Sequence, residues 1–251
     1  MKNKKNSKRR IEKRKRILKL LLFVLIIILL YLFVFKTDFF NIRSIKVVGI
    51  NKMSYEQVVQ ASMCNKGENI FKISRKRGKE SLERLPYIKE AKIKRRFPKD
   101  IIIEIDERQE IAIISYIGSY VFIDDEGYIL TIADKIEEVN LPQIFGLEFT
   151  DLEVGNNIFN LLERDSIKEF ITYCEKSNLL LLMKYVNFTD NNNTMIELKD
   201  GIKVAFGPLD NVKYKLSFLN NILDDIGKKD IRVKQILLNK GNNPIVVTDD
   251  R

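Results

Sequence analysis

The stretch AKIKRRFPKDIIIEID, residues 91–106, decides the fold of the first globular part. Ala91, Ile93, Arg95 and Phe97 alternate with Lys92, Lys94 and Arg96. After Pro98-Lys99-Asp100, the apolar Ile101, Ile103 and Ile105 alternate with Glu104 and Asp106. Period-two alternation on both sides of a short break predicts a β-hairpin. Setting Phe97 opposite Ile101 brings Ile93 to Ile105, Lys94 to Glu104 and Lys92 to Asp106. One register then collects opposite charges on one face and an aliphatic contact on the other. The dense Lys/Arg run is thereby read as a solvated sheet face, not as a phosphate-binding patch.

Upstream, Ile42 to Ile50 reads as a strand, with Ile45 and Val47 on one face and Gly49 ending it. Ser54-Tyr55-Glu56-Gln57 has the S-x-x-Q form of a capping box, so a helix starts there and turns Val58, Val59 and Ala61 inward. Gly67-Glu68-Asn69-Ile70-Phe71 is a turn followed by an apolar anchor. A second, basic helix is expected from about Ser74 to Leu85, stopped by Pro86, although Gly78 argues against it. The order strand, helix, helix, strand, strand predicts a three-stranded sheet covered by two helices, over residues 40–110.

Before that domain, Ile17 to Phe35 is apolar except for Lys19. At 1.5 Å per residue such a helix matches the roughly 30 Å hydrocarbon core of a bilayer. Residues 1–16 carry ten basic side chains and one acid, Glu12, leaving 34 basic and 33 acidic residues from position 17 onward. The net charge of +10 therefore belongs to a short tail, and the near-neutral body gives no reason to expect nucleic-acid binding. A cationic leader before a single apolar span puts the N-terminus in the cytoplasm and the rest outside. No small-x-small cleavage site follows the span, so it is read as a retained transmembrane helix.

Downstream, residues 111–251 form a second region. Ile111–Ile117 and Tyr120–Ile123 read as strands, and Asp124-Asp125-Glu126-Gly127 as a turn into Tyr128-Ile129-Leu130, since the three acids lack the spacing of a calcium loop. Leu141–Gly146 reads as a loop or short extended piece. Ser166-x-x-Glu169 suggests a capping box, with Ile167, Phe170, Ile171 and Cys174 on one helical face and a start nearer Phe159. Strands follow at Tyr185–Thr189, Thr194–Leu198 and Ile202–Phe206. Leu209, Val212, Leu216, Leu219, Leu223 and Ile226 make a core-facing helical stripe closed by Gly227. The chain finishes with Val233–Leu238, a turn at 240–243, and Pro244–Thr248. Proline cannot donate to a ladder, so this last piece is an edge strand or begins at Pro244, and its free edge offers a place for strand addition.

The chemistry is bounded by what is missing. The sequence has no histidine, which excludes His-based general-base and nucleophile systems and most catalytic zinc sites. Its two cysteines, Cys64 and Cys174, are far apart; an oxidising exterior would let them pair, but Cys174 sits on an apolar helical face, which favours a buried free thiol. The adjacent acids Asp224-Asp225 and Asp249-Asp250 do not suit paired-carboxylate catalysis, which draws its groups from separate elements. No enzyme activity, cofactor or metal is expected.

From Phe40 to Leu130 the layout resembles the FtsQ/DivIB family of bacterial cell-division proteins. The matching residues are Phe40, Ile42, Val47 and Gly49; Gly67, Asn69, Ile70 and Phe71; Leu85-Pro86; Arg95-Arg96-Phe97-Pro98; and Ile103, Glu107-Arg108, Ala112, Asp124 and Gly127. Looser matches continue through Asp200-Gly201, Gly207, Lys215 and the final hairpin. The sequence departs in reading Gln109-Glu110-Ile111 where the family commonly has a proline, and in stopping soon after the last strand. The resemblance implies an α+β chain: a transmembrane helix, a POTRA domain (β-α-α-β-β) and a C-terminal mixed α/β domain with an antiparallel sheet. It implies a non-enzymatic scaffold at the septum that binds FtsL and DivIC/FtsB-type partners and through them regulates septal peptidoglycan synthesis. It selects as partner site Pro244, Ile245, Val246, Val247 and Thr248, with Lys213, Tyr214 and Ser217 on the preceding helix. A POTRA-bearing transport or secretion component and an anchored cell-wall enzyme are the alternatives. The former commonly carries several such domains or a barrel, and neither is visible here.

Overall fold

The computed structural model describes residues 2–136, 139–149, 151–162, 164–229, 231–241 and 243–248, with side chains from Lys13 onward. The tail's basic side chains before Lys13, and Asp249-Asp250, lie outside the described residues. Two compact units form, Met1–Glu83 with Glu90–Glu107, and Arg84–Lys89 with Arg108–Arg251.

The first unit begins with α1 (Lys2–Lys36), whose stretch Lys13–Lys36 is long and apolar enough to cross a membrane. Its apolar side chains from Ile17 to Leu32 are exposed. Then follow β1 (Ser44–Val48), α2 (Tyr55–Ala61), α3 (Arg75–Leu82), β2 (Ile88–Arg96) and β3 (Asp100–Glu107). The sheet order is β1-β3-β2, with β1 parallel to β3 and Val47 opposite Ile103. Ser54 and Gln57 make the expected reciprocal capping box. Lys94 meets Glu104 at 2.6 Å as the hairpin register requires, whereas Lys92 pairs with Glu90 on its own strand at 3.0 Å.

Two glycines and one carboxylate explain how the elements lock together. Gly78 stays inside α3 because a Cβ there would lie 2.4 Å from the Ser62 carbonyl oxygen and 2.6 Å from Ile93 Cδ1. The close approach of α3 to the end of α2 outweighs glycine's poor helix propensity. Gly49 turns the chain at φ +86, with the Ile105 carbonyl oxygen 2.0 Å from where its Cβ would be. Glu107, almost fully buried at the end of β3, accepts N–H bonds from Asn51 (2.9 Å), Lys52 (2.8 Å) and Met53 (2.9 Å).

The second unit is a nine-stranded sheet in the order β12-β11-β10-β9-β8-β7-β4-β5-β6. Its strands are β4 (Ala112–Tyr116), β5 (Ser119–Ile123), β6 (Ile129–Ala133), β7 (Gln143–Phe145), β8 (Met183–Asn187), β9 (Thr194–Leu198), β10 (Lys203–Gly207), β11 (Val233–Leu237) and β12 (Ile245–Thr248). Helices α4 (Asp165–Lys176), α5 (Leu179–Leu182) and α6 (Val212–Lys229) complete it. The core joins Ile114, Val121, Ile144, Val186, Ile196, Val204 and Ile236 of the sheet to Phe170, Cys174, Leu216 and Leu219 of the helices. Phe170 stands edge-on to Phe188 and to Phe206, each at 5.3 Å.

Several details differ from the sequence reading. The sheet is mixed, with β4/β7, β7/β8 and β10/β11 parallel. The stretch at Leu141–Gly146 supplies a central strand, β7. Helix α4 begins at Asp165, and Ile158–Asn160 is a separate 3-10 turn capped by Asn157. The N-cap is Arg164 with no side-chain capping bond, so Ser166 and Glu169 form no capping box; Glu169 pairs instead with Lys213 at 3.2 Å. Gly227 does not close α6, which runs two residues past it. Pro244 stands just before β12 rather than in it.

The three adjacent acids do turn work, as expected. Asp124, fully buried, accepts N–H bonds from Glu126 (3.1 Å) and Tyr128 (2.7 Å). The Arg108 guanidinium holds Asp124 at 2.5 Å and Glu126 at 2.6 Å, and lies 3.9 Å above the Tyr128 ring. Its hydrogen bond keeps the Glu126 carboxyl below the usual range. Both cysteines are buried and free, and burial pushes the Cys174 thiol well up.

Candidate functional site

Chain connectivity leaves β12 at the sheet's end. Strand β10 feeds α6, which crosses over and returns the chain as β11 parallel to β10. Such a crossover is how parallel neighbours are joined. A tight turn then lays β12 antiparallel on β11, with Ile245 opposite Leu237, Val246 opposite Ile236 and Val247 opposite Gln235. Among the described residues no strand pairs beyond it. Because Ile236 faces the helix-covered core, Val246 shares that face, while Ile245 and Val247 point to the other.

All three remain exposed: Ile245 by 46%, Val246 by 39% and Val247 by 38%. Edge strands are ordinarily blunted by charge, bulges or covering segments. This one has Pro244 at its entry and a bulge in β11 between Val233 and Gln235, but three of its four exposed side chains, Ile245, Val246 and Val247, are aliphatic. In an antiparallel edge, alternate residues turn their N–H and C=O away from the sheet.

Beside the edge lies a concavity of about 300 Å³ lined by Pro208, Tyr214, Phe218, Leu238, Asn239 and Pro244, among others. Its floor is fixed by Lys215, whose ammonium donates to the Pro208 carbonyl at 2.9 Å, pairs with Asp210 and lies 5.3 Å over Phe206. The Lys215 hydrogen bond holds the Asp210 carboxyl below its ordinary range. Gly207, at φ +80, lets Asn239 approach where a Cβ would sit 2.7 Å from it. Tyr214 and Phe218, one turn apart on α6, meet edge-on at 4.8 Å and form one wall.

Of the residues selected from sequence, the structure thus brings Tyr214 and Pro244 together beside the β12 edge. Lys213 turns toward α4 and borders a different concavity with Asp165, Thr172 and Tyr173. Ser217 is half-buried and borders neither. Phe218 and Asn239 escaped the sequence reading. Phe218 could have been found by its i, i+4 spacing from Tyr214; Asn239 had no signal.

Chemically, the site offers backbone ladder groups, aliphatic side chains and an aromatic wall. Among the described residues no group of three or more His, Cys, Asp or Glu is placed to hold a metal.

Residues 40–108 match the FtsQ-type POTRA domain. The cell division protein DivIB of Clostridium tetani is 29% identical over 218 residues, covering 84% of this chain and 81% of that protein. DivIB of Clostridium acetobutylicum is 31% identical over 162 residues, 60% of this chain and 65% of that one. FtsQ of Syntrophotalea carbinolica is 28% identical over 123 residues, 49% and 43% of the two chains. A solved extracytoplasmic domain of DivIB from Geobacillus stearothermophilus aligns with 49% of this chain and 97% of that one, at 15% identity and a TM-score of only 0.32.

Proposed function

Given that the chain is a relative of the FtsQ/DivIB cell division proteins, we propose that it is a non-enzymatic bitopic scaffold of the bacterial divisome. On this reading α1 anchors it, the cationic tail stays in the cytoplasm, and both units stand outside at the septum. Ten cations before the apolar run and one apolar helix support that orientation.

Its second unit captures bitopic division partners of the FtsL and DivIC/FtsB type, and through them regulates septal peptidoglycan synthesis. The observation that carries this is the aliphatic edge formed by Ile245, Val246 and Val247 beside the Tyr214–Phe218 wall, beyond which no further strand pairs among the described residues. A partner segment adding as a strand would bond to the outward backbone groups, each worth about 1 kcal/mol net. It would also bury the exposed parts of Ile245, Val246 and Val247, on the order of 1 kcal/mol apiece. Backbone pairing supplies affinity and the side-chain pockets supply selection.

The test is co-purification from membranes. Val246→Lys leaves the half-exposed strand paired to β11 but places a charge where the partner's side chains pack. Bound FtsL/DivIC-type chains should fall roughly tenfold, as about 1.4 kcal/mol implies. Recovery of those chains at wild-type yield would count against the edge as the site.

A further inference from the structure

A continuous run of rings joins the end of α1 to the tip of the first unit. Tyr31 meets Phe35 with centroids 4.9 Å apart, Phe35 meets Phe71 at 6.3 Å, and Phe71 stacks on Phe97 at 5.3 Å. A second branch runs from Phe33 to Phe39 (5.4 Å) and Phe40 (5.9 Å), and Phe40 returns to Phe71 at 5.2 Å.

Hydrogen bonds fix this arrangement. The last carbonyls of an α-helix have no partner within it. Here Asn69 Nδ2 donates to the Val34 carbonyl at 2.6 Å, and Thr37 Oγ1 donates to that of Phe33 at 2.5 Å. The Ile70 N–H donates to the Phe40 carbonyl at 2.9 Å and the Gly67 N–H to that of Ile42 at 2.8 Å. The helix therefore ends inside the unit's own hydrogen-bond network, with no slack linker. Whatever depth Phe35 takes in a bilayer, Phe71 lies one ring contact away and Phe97 two.

Those rings are not buried by protein. Phe97 is 56% exposed, Phe39 47% and Phe71 37%. Lys36, Lys72, Arg96 and Lys99 lie within three residues of them in sequence. Lys99 sits 5.7 Å over the Phe39 ring, and none of the four makes an ion pair among the described residues. Three acids fall in the same sequence window, Glu68, Asp100 and Asp38, the last bonded to Asn41 Nδ2 at 2.7 Å. Exposed Phe rings beside unpaired cations, at the end of an apolar helix, combine the apolar and basic side chains of surfaces that lie in a membrane–water interface. There rings sit at headgroup depth and Lys or Arg pair with lipid phosphates.

We propose that the Phe39–Phe71–Phe97 tip is a lipid-binding surface that seats the first unit on the outer face of the bilayer, its cations taking the phosphates of anionic phospholipid. This rests on reading residues 17–35 as the anchor. The first unit then rides on the membrane as a fixed pedestal, its depth set by ring contacts instead of by a linker.

The chain contains no tryptophan, so a single introduced one reports without background. Full-length Phe97→Trp, Phe39→Trp and, within the anchor, Phe23→Trp are reconstituted into phosphatidylglycerol–phosphatidylcholine vesicles whose acyl chains carry shallow bromines. The expected result is blue-shifted, bromine-quenched emission from both tip reporters as well as from the anchor. Replacing phosphatidylglycerol by phosphatidylcholine should weaken quenching at the tip and leave it unchanged at Phe23→Trp. If the anchor reporter is quenched while both tip reporters emit as in water, the lipid surface is refuted and the anchor stands. If Phe23→Trp is itself unquenched, the anchor reading fails and the proposal with it. Tip quenching that is indifferent to lipid charge would overturn the anionic-lipid part of the proposal.

Discussion

Glu107 is the most informative single position in the first unit. Its carboxylate holds three consecutive N–H groups, with Oε2 taking Asn51 and Lys52 and Oε1 taking Met53. These bonds tie the turn after Gly49 to the end of β3. Charge-assisted hydrogen bonds contribute about 1.5–3 kcal/mol each when desolvated, and less where water can replace them. Asn51 and Lys52 are exposed and Met53 only half-buried, so the low end applies. Glu107→Gln keeps one oxygen for Asn51 and Lys52 but points an amide at the Met53 N–H, a predicted cost of about 2 kcal/mol. Glu107→Ala loses all three partners, and about 3–4 kcal/mol follows. Urea unfolding of the detergent-solubilised chain measures the loss. Hydrogen exchange of peptides covering 50–54 localises it, and protection there should fall first. If both variants unfold within about 0.5 kcal/mol of the wild type, as surface substitutions do, the carboxylate is not the clamp described.

Other perturbations separate backbone strain, titration and burial. Gly49→Ala meets both a positive φ and the Ile105 carbonyl, whereas Gly67→Ala at φ +85 faces open space; the first should cost at least about 2 kcal/mol more than the second in the same urea assay. Arg108 lowers the Glu126 carboxyl in the folded state, so that state binds fewer protons than the unfolded chain. The resulting stability is complete above the unfolded value of about 4.3 and is lost as pH falls through the lower native one. The urea midpoint should therefore drop below about pH 4, and Glu126→Gln should shallow that acid limb. Burial raises both thiols, so neither Cys64 nor Cys174 should react with a thiol reagent until the chain is unfolded, and rapid labelling of two thiols in the native protein would contradict their placement.

Much of the first unit was legible because its signals are local. Ser54 and Gln57 cap the same turn, and the hairpin carries its own charge register in Lys94 and Glu104. The second unit depends on distant partners. Gln143-Ile144-Phe145 is too short to show a period, and becomes a strand only because β4 and β8 flank it in parallel. Glu169 had the spacing for a capping box, but Lys213, far along the chain, gives it another partner. Gly78 looked like a helix breaker because Ser62 and Ile93, which require its small size, are invisible to a helical window. At the candidate site, the strand after Pro244 could be read directly. Its position at the sheet's end, and Tyr214 beside Pro244, came from the crossover through α6, which no periodicity encodes.

The most direct test of strand capture is contact in living cells. A photo-crosslinking amino acid placed singly at Ile245, Val246 or Val247 should, on irradiation, join this chain to a bitopic division protein of the FtsL or DivIC/FtsB type, identified by mass spectrometry. The same probe at Lys213, which faces α4, should give much less. Crosslinks to those partners from Lys213 with none from the three β12 positions would contradict the account.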